Sequence, residues 1–432
     1  MNIDVGPEDD AYILFKGTLV LSLPSLRTKN YYSYRPDNIT QDPPPPHNCF
    51  PGSGYKGTFI TAEEMLGCNT AQCLLSKAHH EHGTRDEQDD QDFERGGRYC
   101  LSGLCDHVRS RDCGGETILP ARHGVSAPII DSIVLEHIQA GDNYTAIPFH
   151  PTCFDIFSRL SRQRFGYVNF EALGQWCFAE SSSCAAVNRV SSDENVRANI
   201  EQWWQHIEGT EYLAANPLFI PRLTPILRNA IQHDPNFSPM NGAFNVPDHH
   251  GEADIFTKLP LELRLQILSY LPSQTIANLR LSSRTFRQLP ILLWRDLLLT
   301  EMPWLWEVWS DDVPYIWATT TYTAVVEHEQ TGKELQDWLE KSRAVIKEEM
   351  PDIFNEWDTD VRKVLSKRVG YLEAGRAEAL RTMVTGLPVA KTNWYRLYTD
   401  IVRNWGDLKG LWNRERIWRD VGEIVRKLDK YT

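Results

Sequence analysis

The 432-residue chain has no apolar run near the roughly 18 residues that a membrane helix needs, so no membrane partner is expected. The nearest stretch, Ala11 to Pro24, is short and contains Lys16. It follows Glu8, Asp9 and Asp10, whereas an export signal opens with positive charge. We therefore expect an intracellular protein, cytoplasmic or nuclear. Positive charge is also in deficit, and the net charge of -13 argues against nucleic acid as a partner, because phosphate contacts draw on Lys and Arg. A disulfide framework is also missing: the nine cysteines, an odd number on a long chain, do not resemble a secreted pattern, and we read most of them as free thiols. No repeat of fixed period runs along the chain, which excludes an obvious leucine-rich or propeller architecture. A nucleophile elbow, a phosphate loop and a kinase motif set are all missing, so no cofactor is expected, while a catalytic triad drawn from distant residues would leave no such motif.

Several fragments mimic functional motifs. Gly52-Ser53-Gly54-Tyr55-Lys56-Gly57 spells a dinucleotide string, but Pro43 to Pro46 and Pro51 precede it where a buried strand is required, so it reads as a turn. His80-Glu81-His82 lacks the spacing of a metalloprotease helix, whose two His residues lie four apart. Cys68 and Cys73, like Cys100 and Cys105, form pairs enclosing four residues. That spacing loosely suits zinc, so these four are the candidate metal ligands, with buried or loop thiols as the favoured alternative. From Lys391 to Thr432, ten Lys and Arg stand against six Asp and Glu among several aromatics. One reading is a stacking surface for nucleic acid. Trp394 and Tyr398, one turn apart, read better as core, and the arginines as a solvated face.

What the chain does have is Leu259 to Leu298, which holds more apolar surface than so short a stretch can bury by itself. Pro260 suits a first helical position. Leu259, Leu263, Ile267 and Leu271 line one helix face, and Leu261, Leu265 and Leu268 a second. Pro272 ends this helix. Ser273 can cap the next, carrying Ile276, Leu279 and Leu281. Ser282 or Ser283 can cap a third, with Phe286 and Leu289, closed by Pro290. Leu292, Leu293, Trp294, Leu297 and Leu298 add a final apolar patch. Such a surplus marks an interface or a face covered by the rest of the chain.

The stretch resembles an F-box. Leu259-Pro260, Glu262, Ile267-Leu268, Leu271-Pro272, Leu279-Arg280-Leu281-Ser282-Ser283, Phe286-Arg287 and Leu293-Trp294 follow the family's order and spacing, with Ser282 where many members carry Val. Asn393 to Trp405 (NWYRLYTDIVRNW), Gly410 to Asp420 (GLWNRERIWRD) and Pro148 to Leu160 (PFHPTCFDIFSRL) resemble segments of a group of fungal F-box proteins. The resemblance implies a non-catalytic substrate-receptor subunit of an SCF-type (cullin-RING) ubiquitin ligase. Its partners would be a Skp-type adaptor, through it a cullin, and a protein substrate marked for ubiquitin-dependent degradation. Adaptor binding would fall to Leu259, Pro260, Glu262, Leu263, Ile267, Leu268, Leu271, Leu279, Phe286 and Trp294. Two other readings stand beside it: an adaptor-bound scaffold outside a ligase, and a zinc-binding N-terminal domain with another activity.

The expected fold is mainly α, with a central three-helix F-box, a helical C-terminal region and an irregular α+β N-terminal domain. Residues 1–58 are poorly patterned, and Pro43 to Pro46 suggest a stiff turn or linker. An α+β domain follows over 59–231. In it, Thr61 and Glu64 form a capping box starting a short helix that Gly67 ends, and 78–98 reads as a solvated loop. Some strand is expected in 118–147, helices from Pro151 to Phe165 and from Phe170 to Phe178, and another over 190–210 with Trp203 and Trp204. A linker at 232–253 precedes the F-box, assigned to 254–300. The region 301–432 opens with Trp304, Trp306, Trp309 and Trp317, expected to pack on the F-box. A charged helix over 323–350 and one capped by Asp352 follow. In the last helix Ile417, Val421, Ile424, Val425 and Leu428 share one face, with Arg414, Arg416, Arg419 and Lys427 around it.

Overall fold

A computed structural model describes residues 59–61, 63–66, 72–79, 91–104, 117–119, 133–135, 147–181, 193–196, 208–239, 244, 254–319, 337, 339–359 and 383–431. The polyproline segment, the glycine string, His80-Glu81-His82, Cys68, Cys105, Trp203 and Trp204 lie outside these residues. The fold is mainly helical, with a small sheet in the N-terminal part and a helical C-terminal region, as expected. The described residues fall into two compact units that interleave along the chain. One draws on Met1–Phe219, Pro314–Arg381 and Trp412–Thr432, the other on Ile220–Val313 and Thr382–Leu411. No described helix is long and apolar enough to cross a membrane.

In the first unit, β1 (Gln72–Ser76) lies between β2 (Tyr99–Leu101) and β5 (Ile147–Phe149), antiparallel to both. A separate antiparallel pair joins β3 (Thr117–Leu119) to β4 (Ile133–Leu135). Two helices follow, α1 (Pro151–Phe165) and α2 (Phe170–Ser181). Pro at the start of α1 costs nothing, because the N–H it lacks would be an orphan there. Gly166, at φ 82°, ends α1 in the left-handed conformation that side chains resist. Phe154, Phe157 and Phe170 meet Phe93, Phe149 and Tyr315 in one aromatic cluster, with centroid separations from 4.8 to 6.4 Å.

Three expectations are corrected in this unit. The Thr61–Glu64 box does form, with Glu64 N–H donating to Thr61 Oγ1 at 3.2 Å and Thr61 N–H to Glu64 Oε2 at 2.9 Å. It nevertheless caps only a turn at 63–66, since one turn alone does not offset the cost of nucleation. The supposed solvated loop contains a fully buried Glu94, whose carboxylate accepts the N–H groups of Gln91 at 2.8 Å and Leu101 at 2.7 Å. The C-terminal helix α8 (Lys409–Lys427) buries its apolar face as expected, but Arg414 and Arg416 are buried too. Arg414 Nε donates to the Pro217 carbonyl at 2.6 Å, while Arg416 bridges Asn413 at 2.6 Å and Asp420 at 3.2 Å. Guanidinium groups are tolerated there because their donors find fixed acceptors.

Gly174 of α2 lies against the Tyr99 ring, and a Cβ there would come within 2.2 Å of it. Tyr99 is buried and stacks on Phe178 at 5.2 Å, so its ring has little room to move. Gly174→Ala should therefore destabilise the protein by about 1–3 kcal/mol through overpacking. Chemical denaturation would measure this, and an unchanged midpoint would show that the Tyr99 stack yields.

Candidate functional site

The second unit is built around the Leu259–Leu298 stretch. Helix α4 spans Leu261–Ser269, α5 Ser273–Ser282 and α6 Ile291–Glu301, and α3 (Leu223–Ala230) and α7 (Trp394–Arg403) complete the unit. Three helices were expected in the stretch, but the boundaries differ. Pro260 is the residue before α4 rather than its first. Pro272, not Ser273, stands at the cap of α5, and the Ser273 N–H donates instead to Glu301 Oε1 at 2.8 Å. Residues 284–289 form turns and bends, not a helix. Six residues before Pro290 are too few to nucleate one, and the Thr285 N–H has another acceptor in Asp254. The third helix is α6 itself.

The core of the stretch is Leu268, Ile276, Phe286, Leu293, Leu297 and Leu298, all buried. Phe286 packs edge-on against Phe256 at 5.2 Å and Phe244 at 6.0 Å. Two side chains that the sequence reading missed hold the entry to α4. Arg264 donates to the carbonyls of Leu259 at 2.9 Å and Thr257 at 2.8 Å, and lies over the Phe244 ring. The Asp254 carboxylate accepts from the N–H groups of Phe256 at 3.1 Å and Thr285 at 3.0 Å, and from the Ser283 hydroxyl. It ties the lead-in turn to the α5–α6 connection. Only the Asp254-x-Phe256 spacing before an apolar run could have signalled this cap.

Of the ten candidate residues, Leu268, Phe286 and Trp294 are buried within the chain. Leu259, Ile267, Leu271 and Leu279 are half-buried, and Pro260, Glu262 and Leu263 are exposed. Around these lie apolar groups left in solvent: Leu263 at 45%, Leu261 at 48%, Ile255 at 72%, Tyr270 at 78% and Leu281 at 89% exposure. Leu263, Ile267 and Tyr270 follow helical spacing along the outer face of α4. The surface is therefore an apolar one with Glu262 beside it, suited to holding a protein face rather than to bond chemistry.

The candidate zinc set divides. Cys73 and Cys100 are buried on neighbouring strands in a small apolar cluster with Leu75, which lies opposite Cys100. Their two proposed co-ligands fall outside the described residues. Among the described residues no group of three His, Cys, Asp or Glu side chains is placed to hold a metal. Burial pushes the Cys153 thiol up to about 12 and raises Cys177 well above its ordinary value, so neither is a thiolate at neutral pH.

Residues 256–300 match the model of the F-box-like family. Over 45 residues the chain is 56% identical to "ATP-dependent RNA helicase mss116, mitochondrial" of Aspergillus oryzae (strain ATCC 42149 / RIB 40). That match covers 10% of this chain and 7% of the helicase's length, so it carries no helicase activity across. No solved structure matches.

Asp254 makes the stability of this unit depend on pH. Partial burial pushes its carboxyl up, but the Ser283 hydroxyl and the two backbone N–H groups outweigh this and hold it at about 2, against an ordinary 3.8. A depressed carboxyl stabilises the fold above its unfolded value, and that contribution is lost as the pH falls through its folded value. Asp254→Ala should cost about 1 kcal/mol at neutral pH, as loss of a cap does. The gap from the wild type should close between pH 4 and pH 2, as followed by urea denaturation at each pH. A gap independent of pH would mean that the carboxylate charge is irrelevant.

Proposed function

We propose that this chain is a substrate-receptor subunit of an SCF-type ubiquitin ligase, of the fungal F-box kind, acting inside the cell. The F-box-like unit binds a Skp-type adaptor, and the adaptor a cullin. The remainder of the chain, its N-terminal α+β part or its Trp-rich C-terminal region, holds a protein substrate. The chain itself breaks no bond. It raises the effective concentration of a substrate lysine near a charged ubiquitin carrier.

The observation that carries this reading is the apolar face left on α4 and α5 inside the F-box-like match. A soluble protein leaves such a face in water at a cost unless a partner covers it. Within the proposed contact, Leu259, Pro260, Glu262, Leu263, Ile267, Leu271 and Leu279 meet the adaptor, while buried Leu268 and Phe286 hold the shape of the face.

Co-expression with a Skp-type adaptor, followed by size exclusion and mass determination, should yield a one-to-one complex. Leu263→Asp should raise the Kd at least about tenfold, as loss of a central apolar anchor does. Its melting temperature should fall by only a few degrees, because nearly half of the side chain is already exposed. A complex indifferent to Leu263→Asp, or no complex, overturns the proposal. A stable adaptor complex that recruits no cullin would point instead to a scaffold outside a ligase.

A further inference from the structure

We infer that Trp294, the late aromatic of the F-box-like stretch, is a positioning residue held by this chain's own helix α7. The docking module is then discontinuous in sequence, and its docking surface is confined to α4, α5 and the Leu259, Pro260 and Leu271 that flank them. The second part of this inference rests on the adaptor reading above; the first does not.

Trp294 is only 5% exposed. Its ring meets Tyr395 at 4.9 Å and Tyr398 at 5.1 Å, both on α7, just over a hundred residues further along. Arg280 of α5 lies over the rings of Trp294 and Tyr395, at 5.7 and 5.2 Å. The Glu301 carboxylate then joins three helices: one oxygen accepts the Tyr398 hydroxyl at 3.0 Å, the other the Ser273 N–H at the start of α5. The α7 helix is itself anchored. Trp394, Leu397 and Ile401 are fully buried, and the Asn393 N–H donates to the Ala230 carbonyl at 2.8 Å. Upstream, Gln232 N–H donates to Lys391 at 2.7 Å and Leu387 N–H to Glu307 at 2.9 Å. A partner reaching Trp294 would have to displace Tyr395, Tyr398 and Arg280 from its ring, against the anchoring of α7, whereas the outer faces of α4 and α5 need nothing removed.

Hydrogen exchange read by mass spectrometry on the full chain, alone and with a purified Skp-type adaptor, tests this. Without adaptor, Trp294→Ala should speed exchange across 394–403 at least about a hundredfold, by opening the packed face. Trp294→Phe should restore most of the protection. Tyr398→Phe removes only the hydroxyl, so it should speed exchange modestly at 394–403 and at the start of α5 with the fold intact. Adaptor should slow exchange within 261–282 and leave 394–403 no faster. Tyr398→Ala should weaken adaptor binding, although Tyr398 lies outside the docking surface. Unchanged exchange at 394–403 in both Trp294→Ala and Tyr398→Phe overturns the positioning role. Faster exchange at 394–403 on adding adaptor overturns the confined surface, because α7 would then be displaced. Adaptor that protects no segment defeats the adaptor reading, while the adaptor-free variants still decide the role of Trp294.

Discussion

The second unit depends on burying α6. Leu293, Trp294, Leu297 and Leu298 of this helix are all buried. Part of that cover comes from far away in the chain, since Trp294 meets Tyr395 and Tyr398 of α7. Each fully buried large apolar side chain contributes about 1.5–3 kcal/mol. A module of some forty residues supplies only about 3–5 kcal/mol from its own core, so the addition of α7 is of the same order as the module's own stability. Glu301 sets the register of this packing, since its two oxygens serve the start of α5 and the end of the Tyr398 side chain at once.

The apolar surplus of the F-box-like stretch therefore has two fates. On α6 it is covered internally. On α4 and α5 it remains in solvent, at Leu261, Leu263, Tyr270 and Leu281. Both fates follow from one composition, and the difference lies in which helix the distant segment reaches. Asp254 and Arg264 keep the exposed helices in place from the other end, by satisfying the N–H and carbonyl groups of the lead-in turn. Their polar bonds add little net energy each, but leaving those groups unpaired would cost more.

Much of this unit was legible in the sequence. The spacing of Leu259, Leu263 and Ile267, the prolines at 260, 272 and 290, and the order of the Leu-Pro and Leu-Trp pairs mark the helices and their family likeness. Local patterns likewise marked α1, α2 and the buried face of α8. What stayed hidden was set by residues distant in sequence. Nothing near Trp294 says that Tyr395 and Tyr398 will cover it, and nothing near Arg414 says that the Pro217 carbonyl will accept from it. The short segment 284–289 carried helix-like residues, but Asp254 offered its backbone a better acceptor than a helix of six residues could. Glu94, in a run of charge, reads as solvated until the strand N–H that it serves is in place.

If the apolar face on α4 and α5 is buried against a protein adaptor, binding must carry the heat-capacity signature of that burial. Isothermal titration calorimetry of the full chain with a purified Skp-type adaptor, repeated over a range of temperatures, reads it. Burial of apolar surface makes the binding enthalpy grow more negative as temperature rises, giving a clearly negative heat-capacity change at one-to-one stoichiometry. Absence of binding, or binding with a heat-capacity change near zero, would mean that this face is not buried against an adaptor.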